Sequence, residues 1–173
     1  MILRATDKSM QSMQAKMSSK IIAEVSDANT GITDTEAEQI RNLPDVGFVN
    51  RIGRYEAFPS DFSPVTANAS SEEDNRKVAL LSYDDLEKDS PFSELQYHLT
   101  SGGYITENTR GAVIHESLAA QNGLQIGDKP ELSGENGDTV SVTITGLFRS
   151  AGRIEDKQPA AATAVNRIEN QIF

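Results

Sequence analysis

The chain has 173 residues, 37% of them hydrophobic, and carries a formal net charge of −10 with no cysteine and no tryptophan. A chain of this length buries enough surface to fold without disulfides or metal ions. The lack of cysteine excludes thiol nucleophiles, thiolate metal sites and disulfides. Because an acidic surface repels phosphate groups, we expect no nucleic-acid partner. No apolar run approaches the roughly 20 residues of a membrane span, so a membrane-bound protein would have its anchors outside this sequence.

Residues 1–19 have the spacing of an amphipathic helix. Their apolar or small side chains recur at intervals of three and four residues and share one helix face: Leu3, Thr6, Met10, Met13 and Met17. Two interpretations follow. The helix packs on its own domain, or it is a stalk whose Met10, Met13 and Met17 contact a helix of a partner. Flexible methionine side chains suit the second role, because they pack on irregular surfaces.

Residues 20–56 predict a strand-helix-strand unit. The β-rich run 20–26 (KIIAEVS) precedes a turn, and Thr33 with Glu36 forms a capping box that begins a helix. Pro44 ends this helix, because the residue before a proline avoids the helical conformation. The run 46–56 (VGFVNRIGRYE) is typical of a second strand, and the whole unit has the length of a β-α-β motif.

The remainder of the chain predicts a β-rich region. Residues 59–77 are polar and contain prolines and serines, as expected of a loop. Gly146 interrupts an alternating apolar pattern and indicates a β-bulge. Strands are predicted at three places: 78–82 (VALLS), 111–115 (GAVIH) and 139–148 (TVSVTITGLF).

Helical segments in this region are short. Residues 83–99 predict one or two short helices, and residues 117–122 predict another that ends at Gly123, a residue suited to the left-handed cap. Residues 162–173 fit two structures. Their apolar spacing is helical, yet the last four residues could equally begin a strand.

The ionisable side chains form no recognisable catalytic pattern. His98 and His115 lack the spacing of metal ligands. His115 with Ser117 permits an esterase-like interpretation, but no Gly-x-Ser-x-Gly turn provides a strained nucleophile and an oxyanion hole. Three acidic groups lack the spacing of a calcium loop: Asp34/Glu36/Glu38, Glu72/Glu73/Asp74 and Asp84/Asp85/Glu87. Since the glycines form no phosphate-binding loop either, we expect no enzyme activity, cofactor or metal.

Four segments follow one another in an order known from one protein family. Residues 33–49 form a capped helix, a proline and a valine-rich run, and residues 103–119 form a Gly-aromatic loop, an apolar strand and a Glu-Ser-Leu-Ala helix. Residues 123–128 (GLQIGD) and the strand 140–148 come next. Together they resemble the extracytoplasmic domain of MacB/FtsX-type ABC transporter permeases over about residues 20–150. The family continues with a second strand-helix-strand half, whereas the sequence shown stops at Phe173, so either it is truncated or this member is shorter.

The resemblance implies an α+β fold in three parts. Residues 1–19 would be a stalk helix, and residues 20–56 a membrane-proximal, porter-like strand-helix-strand part, which residues 160–173 could complete. Residues 57–159 would be a β-rich, sabre-like inserted lobe.

The resemblance also implies a function without chemistry in this domain. The domain would couple ATP-driven motion to export or release of a peptide, an antimicrobial or a lipid-linked molecule, on the extracytoplasmic side of a bacterial cell membrane. A separate ABC ATPase subunit would bind ATP. Further partners would be the permease membrane helices, a second permease subunit, and an extracytoplasmic substrate or partner protein. The alternative, which the acidic surface and polar loop favour, is a cell-surface binding or adhesin module without a transport role.

Overall fold

The computed structural model of the chain describes residues 21–22, 31–66, 72, 74–105, 110–151 and 167–173. The chain divides into two compact units, Met1–Gln39 and Ile40–Phe173. Among the described residues, no helix is both long enough and apolar enough to cross a membrane. The predicted stalk helix with Met10, Met13 and Met17 lies outside the described residues, as does most of the predicted strand 20–26.

Helices are short and strands predominate in the described part of the chain. The α-helices are α1 (Asp34–Arg41), α2 (Ser90–Ser93) and α3 (Glu116–Asn122), with 3₁₀ turns at Asp74–Arg76 and Ile168–Asn170. The strands are β1 (Ile52–Pro59), β2 (Val78–Tyr83), β3 (Tyr97–Gly102), β4 (Gly111–His115), β5 (Glu131–Ser133), β6 (Thr139–Ser141), β7 (Thr143–Ser150) and β8 (Gln171–Ile172).

All eight of these strands belong to one mixed sheet with the order β3-β7-β4-β8-β2-β1-β5-β6. β4 runs parallel to β7, and β8 runs parallel to β2, whereas the other pairs are antiparallel. A mixed sheet with a few short helices is an α+β fold, so the predicted fold class is confirmed.

The last strand joins the two halves of this sheet. β8 pairs with β2 through Ala79–Gln171 and Leu80–Ile172, and with β4 through Ile114–Ile172. Beside it, the backbones of Val113 and Phe173 exchange two hydrogen bonds of 2.7 and 3.0 Å. Residues 171–173 therefore link β3, β7 and β4 on one side to β2, β1, β5 and β6 on the other, and the strand interpretation of the C-terminal segment is confirmed.

Both faces of the sheet are buried. Because neighbouring side chains on a strand point to opposite faces, Ala112 and Ile114 join one core while Val113 joins the other. The first core also contains Leu118 and Ala119 of α3. Burial on both sides explains why β4 reads as a continuous apolar run rather than an alternating one.

The second core is an aromatic cluster around Phe92. Its ring makes edge-to-face contacts, with centroids 5.3 to 5.6 Å apart, to four aromatic rings: Tyr97, Tyr104, Phe148 and Phe173. Such pairs add about 0.5–1.5 kcal/mol each beyond the burial of their area. Phe173 thus anchors β8 by its side chain as well as by its backbone.

The bulge predicted at Gly146 is confirmed. Ala112 pairs with Ile144 but Val113 pairs with Gly146, so β7 has one extra residue at this point. The bulge brings the backbone of residue 103 against β7: a side-chain Cβ at position 146 would lie 2.6 Å from the Gly103 carbonyl oxygen. Only glycine fits at such a close approach.

Several further predictions from the sequence are confirmed. β2 and β4 match the predicted strands 78–82 and 111–115, and α3 ends at Gly123, which has a left-handed φ of 67°. The predicted strand 139–148 corresponds to β6 and β7, interrupted at Val142. In the capping box, the Thr33 backbone N–H and hydroxyl donate to Glu36 Oε2 at 2.9 and 2.8 Å, and Thr33 Oγ1 accepts from the Glu36 N–H.

The strand predicted at 46–56 begins only at Ile52. Residues 46–51 have no regular structure, because side chains rather than a backbone ladder hold this segment. Asn50 and Arg51 bond to residues 84 and 85. β1 then pairs antiparallel with β2, whereas most of the first strand of the predicted β-α-β unit lies outside the described residues.

The predicted boundary at residue 57 is also corrected. β1 runs across this position, and the compact units divide after Gln39. Residues 103–148 are β-rich with one short helix, as predicted, but their strands share a sheet with β1 and β2. The physical reason is β1 itself, which crosses residue 57 and pairs with β2 on one side and with β5 on the other.

Replacing the buried aromatic anchor of β8 should weaken the whole sheet. Phe173 is 3% exposed, so we expect Phe173→Ala to lower the free energy of unfolding by about 3–5 kcal/mol. The matched control is Phe48→Ala, because Phe48 is 56% exposed and its loss should cost less than about 1 kcal/mol. Urea unfolding followed by circular dichroism measures both, and equal losses would contradict the role of Phe173.

The bulge gives a second, independent prediction. Gly146→Ala should lower the free energy of unfolding by about 1–3 kcal/mol, because the added methyl group has to displace backbone. Gly47→Ala is the control, since a Cβ there meets no atom within 4 Å, and its effect should stay within about 0.5 kcal/mol. An unchanged unfolding midpoint for Gly146→Ala would show that β3 and β7 are not held this closely.

Candidate functional site

Exposed apolar side chains concentrate in one stretch of the second compact unit. Of the nine large hydrophobic residues that are exposed among the described ones, five lie between residues 40 and 55. We call these five the exposed apolar segment: Ile40, Leu43, Phe48, Ile52 and Tyr55. Single exposed apolar residues need no explanation, but a concentration of them is typical of a surface that contacts another molecule.

The middle of this segment is fixed to the turn after β2 by an ion pair. Arg51 binds both oxygens of Asp84, with Nε–Oδ2 and Nη2–Oδ1 distances of 2.9 and 3.0 Å. These bonds hold the pKa of the Asp84 carboxyl below its usual range. Because both side chains are about one-third exposed, we assign the pair a positioning role rather than a large share of stability.

A second tie is made by an amide side chain. Asn50 Nδ2 donates to the Asp85 carbonyl oxygen, and Asn50 Oδ1 accepts from the Asp85 N–H, each at 2.9 Å. This reciprocal pair imitates two strands that exchange backbone bonds. It orients residues 48–50 although they belong to no strand.

Lys88 joins this network from the far side. Its Nζ lies 2.7 Å from Asp85 Oδ2, and the same ammonium group lies 5.6 Å from the centroid of the Phe48 ring. The hydrogen bond to Asp85 raises the pKa of Lys88 and lowers that of Asp85. The cation therefore keeps its charge and provides one wall for the Phe48 ring, as in a cation–π contact.

An open groove of about 400 Å³ lies at this place. It is lined by the following residues: Arg41, Gly47, Phe48, Val49, Asp84, Asp85, Lys88 and Ile105. Its two carboxylates, Asp84 and Asp85, are bound to cations of the same chain. Its apolar side chains are Phe48, Val49 and Ile105, and its other side chains are charged.

Neither of the two histidines, His98 and His115, lines this groove. His115 is buried, and its Nδ1 accepts a 3.1 Å bond from the Ser117 N–H at the start of α3. Its ring also lies edge-on to Phe148 at 5.1 Å. His98 Nε2 accepts a bond from Arg149 at 2.8 Å. Ser117 is thus related to His115 through its backbone N–H, as part of a helix cap.

One buried carboxylate lies close to the helix cap. Glu169 accepts a 2.8 Å bond from Arg167 Nη2. Burial acts to raise the pKa of Glu169, but the bonds from Arg167 and from its own backbone outweigh it, and the pKa is lowered. The carboxylate is therefore an ionised partner of Arg167, in the 3₁₀ turn that directly precedes β8.

The described acidic side chains of the three groups seen in the sequence take part in separate interactions. Asp84 and Asp85 bind different cations, and Glu36 is used within its capping box. In the described ranges, no three His, Asp or Glu side chains are arranged to hold a metal ion. Of the residues singled out from the sequence, Met10, Met13 and Met17 lie outside the described part. The sequence did not single out Phe48, Ile52 and Tyr55, because a strand pattern does not show which side chains stay exposed to solvent.

Comparison with known proteins gives limited information. No family model matches the chain, and no curated protein matches it. A solved domain, described as part of a permease protein from Porphyromonas gingivalis, is similar in structure with 18% sequence identity and a TM-score of 0.31. The match covers 65% of this chain and 48% of that one, so this chain spans about half the length of that domain. A likeness this weak carries no argument about function.

Proposed function

We propose that the chain is the extracytoplasmic domain of a MacB/FtsX-type ABC transporter permease subunit, working by contact rather than by chemistry. It couples ATP-driven motion of the membrane helices to export or release of a peptide, an antimicrobial or a lipid-linked molecule. It binds no ATP, cofactor or metal itself, and a separate ATPase subunit binds the nucleotide. Its partners are the membrane helices, a second permease subunit, and an extracytoplasmic substrate or partner protein.

One observation carries this proposal. Of the four segments on which the sequence resemblance rests, the described parts of the last three (103–119, 123–128 and 140–148) come together around β4 and β7. β4 and β7 are parallel neighbours, and α3 leaves β4 directly and packs in the first core. Gly127 N–H donates to the Ile144 carbonyl at 2.8 Å, and Ile144 N–H donates to the Asp128 carbonyl at 2.9 Å.

The exposed apolar segment provides the contact surface that such a role requires. A domain that performs no chemistry affects transport only if it makes different contacts in the two states of the membrane helices. Phe48 and Ile52 are exposed, yet Asn50 and Arg51 between them are bound to the turn after β2. A displacement applied to these side chains would therefore reach the sheet instead of being lost in a free loop.

The location can be tested because the chain has no cysteine. Lys129→Cys places a thiol at an exposed position, and a membrane-impermeant maleimide should label it in intact cells that produce the complete gene product. The parent protein without this substitution gives the background. Labelling that appears only after lysis would contradict an extracytoplasmic location.

The coupling role predicts a split between two activities. In the complete permease with its ATPase, Phe48→Ser with Ile52→Ser should reduce export at least about tenfold, while basal ATP hydrolysis stays within about twofold, because the contact is lost but the ATPase is not. Leu95→Ser is the matched control, since Leu95 is an exposed apolar residue outside the segment.

Two outcomes would contradict this division of labour. Export at the parent level in the double variant would remove the segment from coupling and favour the adhesin-like alternative. Loss of ATP hydrolysis in a folded and assembled complex would show that the domain does more than relay motion.

A further inference from the structure

A buried histidine lies where β4 passes into α3. His115 is the last residue of β4 and the N-cap of α3, and it is 1% exposed. Its Nδ1 accepts the Ser117 N–H at 3.1 Å, and a ring nitrogen that accepts a hydrogen bond carries no proton. The imidazole is therefore neutral in this arrangement, with its single proton on Nε2.

The groups around the ring determine whether it can take up a second proton. Glu169, in the 3₁₀ turn before β8, interacts electrostatically with His115. Its carboxylate already accepts a bond from Arg167, so these two side chains form a pair with no net charge. From β7, Phe148 presents its ring edge-to-face to the imidazole. From α3, Glu116 is the next residue along the chain.

A second proton on His115 would break the helix cap. An imidazolium ring donates from both nitrogens and accepts at neither, so Nδ1 could no longer bind the Ser117 N–H, and two donors would face each other. The Glu169 carboxylate could bind the new cation only by giving up its bond to Arg167. The first outcome loosens the start of α3, and the second loosens the turn that leads into β8.

We propose that His115 is a pH-sensitive switch: the neutral ring holds α3 and the turn before β8 closed, and its protonation opens them under mildly acidic conditions. Glu169 is two residues from the start of β8. Two residues before His115, the backbone of Val113 exchanges hydrogen bonds with Phe173. The opening would therefore reach the strand that joins the two halves of the sheet. This inference does not rest on the proposed function.

The pH range of the switch follows from proton linkage. In an opened state His115 has the ordinary histidine pKa of about 6.5, whereas the capped state holds the neutral ring. As the pH falls from about 7.5 to about 5.5, the opened state gains protons that the capped state does not bind, and the opening equilibrium rises by up to about tenfold.

The neighbouring ionisable groups cannot produce this change. The pKa of Glu169 is lowered, so the stability that its ionised form contributes is lost only as the pH falls below its ordinary value of 4.5. Burial raises the pKa values of Tyr83 and Tyr97 in the second core, and both remain neutral in this range. A loss of protection near pH 6 therefore reports on a histidine.

Amide hydrogen exchange of the 173-residue chain tests the switch. Between about pH 7.5 and about pH 5.5, the protection factors of the Ser117, Val113 and Phe173 amides should fall about tenfold. In His115→Asn the fall should be less than about twofold, because asparagine also caps helices but does not titrate. His98→Asn is the matched control, since the chain has two histidines, and it should behave as the parent does.

The ring tautomer provides a second measurement that needs no substitution at residue 115. In nitrogen NMR spectra of the parent at about pH 7.5, His115 should have a protonated Nε2 and an unprotonated Nδ1, with the assignment made from His98→Asn. If His115→Asn does not fold, this tautomer and the exchange of the parent and His98→Asn decide. A protonated Nδ1 at this pH, equal protection factors at both pH values, or an undiminished fall in folded His115→Asn would overturn the proposal.

Discussion

The insertion of β8 between β4 and β2 is the interaction on which the rest of the fold depends. Only Gln171 and Ile172 form the strand, yet without them the strand order would break into two sheets, β3-β7-β4 and β2-β1-β5-β6. Ile172 is fully buried in the first core and Phe173 is buried in the second. Residues 171–173 therefore complete both cores as well as the hydrogen-bond ladder.

This arrangement gives the sheet a long-range character. Pairing β8 with β2 and β4 joins residues 79–80 and 113–114 to residues 171–173. Closing such separations has an entropic cost that local contacts do not have. Phe92 packs edge-to-face on Phe173, the residue that follows β8, so the aromatic cluster of the second core stabilises this long-range connection.

Local signals in the sequence predicted an element well where the residues that determine it lie within that element or next to it. The apolar run GAVIH, the helix that follows it and the glycine at 123 identify β4, α3 and the helix end without reference to any other part of the chain. The capping box at Thr33 and the bulge at Gly146 are likewise indicated by a few neighbouring residues. These features agree with the structure because their causes are short-range.

The features that were not predicted have causes elsewhere in the chain. Residues 46–51 have β-forming side chains, but Asn50 and Arg51 find partners at residues 84 and 85, which no local pattern shows. The pairing of β1 with β2 and β5 is similarly non-local, so a boundary was placed at residue 57 where the strand is in fact continuous. The exposure of Ile52 and Tyr55 on β1 could not be foreseen, because β-strand alternation does not identify which side chains the rest of the chain leaves exposed.

The exposed apolar side chains of residues 48–52 and the hydrogen bonds that hold this segment to the rest of the sheet belong together. Phe48 and Ile52 are uncovered while Asn50 and Arg51 between them are fixed to the turn after β2. From Ile52 onward the strand is paired along its inner side to β2, which contacts β8 directly. A contact made at residues 48–56 is therefore connected by an uninterrupted backbone ladder to the strand that joins both cores. Packed cores resist deformation. A partner bound to residues 48–56 would therefore move the second compact unit as a body. That property suits a domain that relays motion, and a binding module that has to hold a rigid surface would use it equally well.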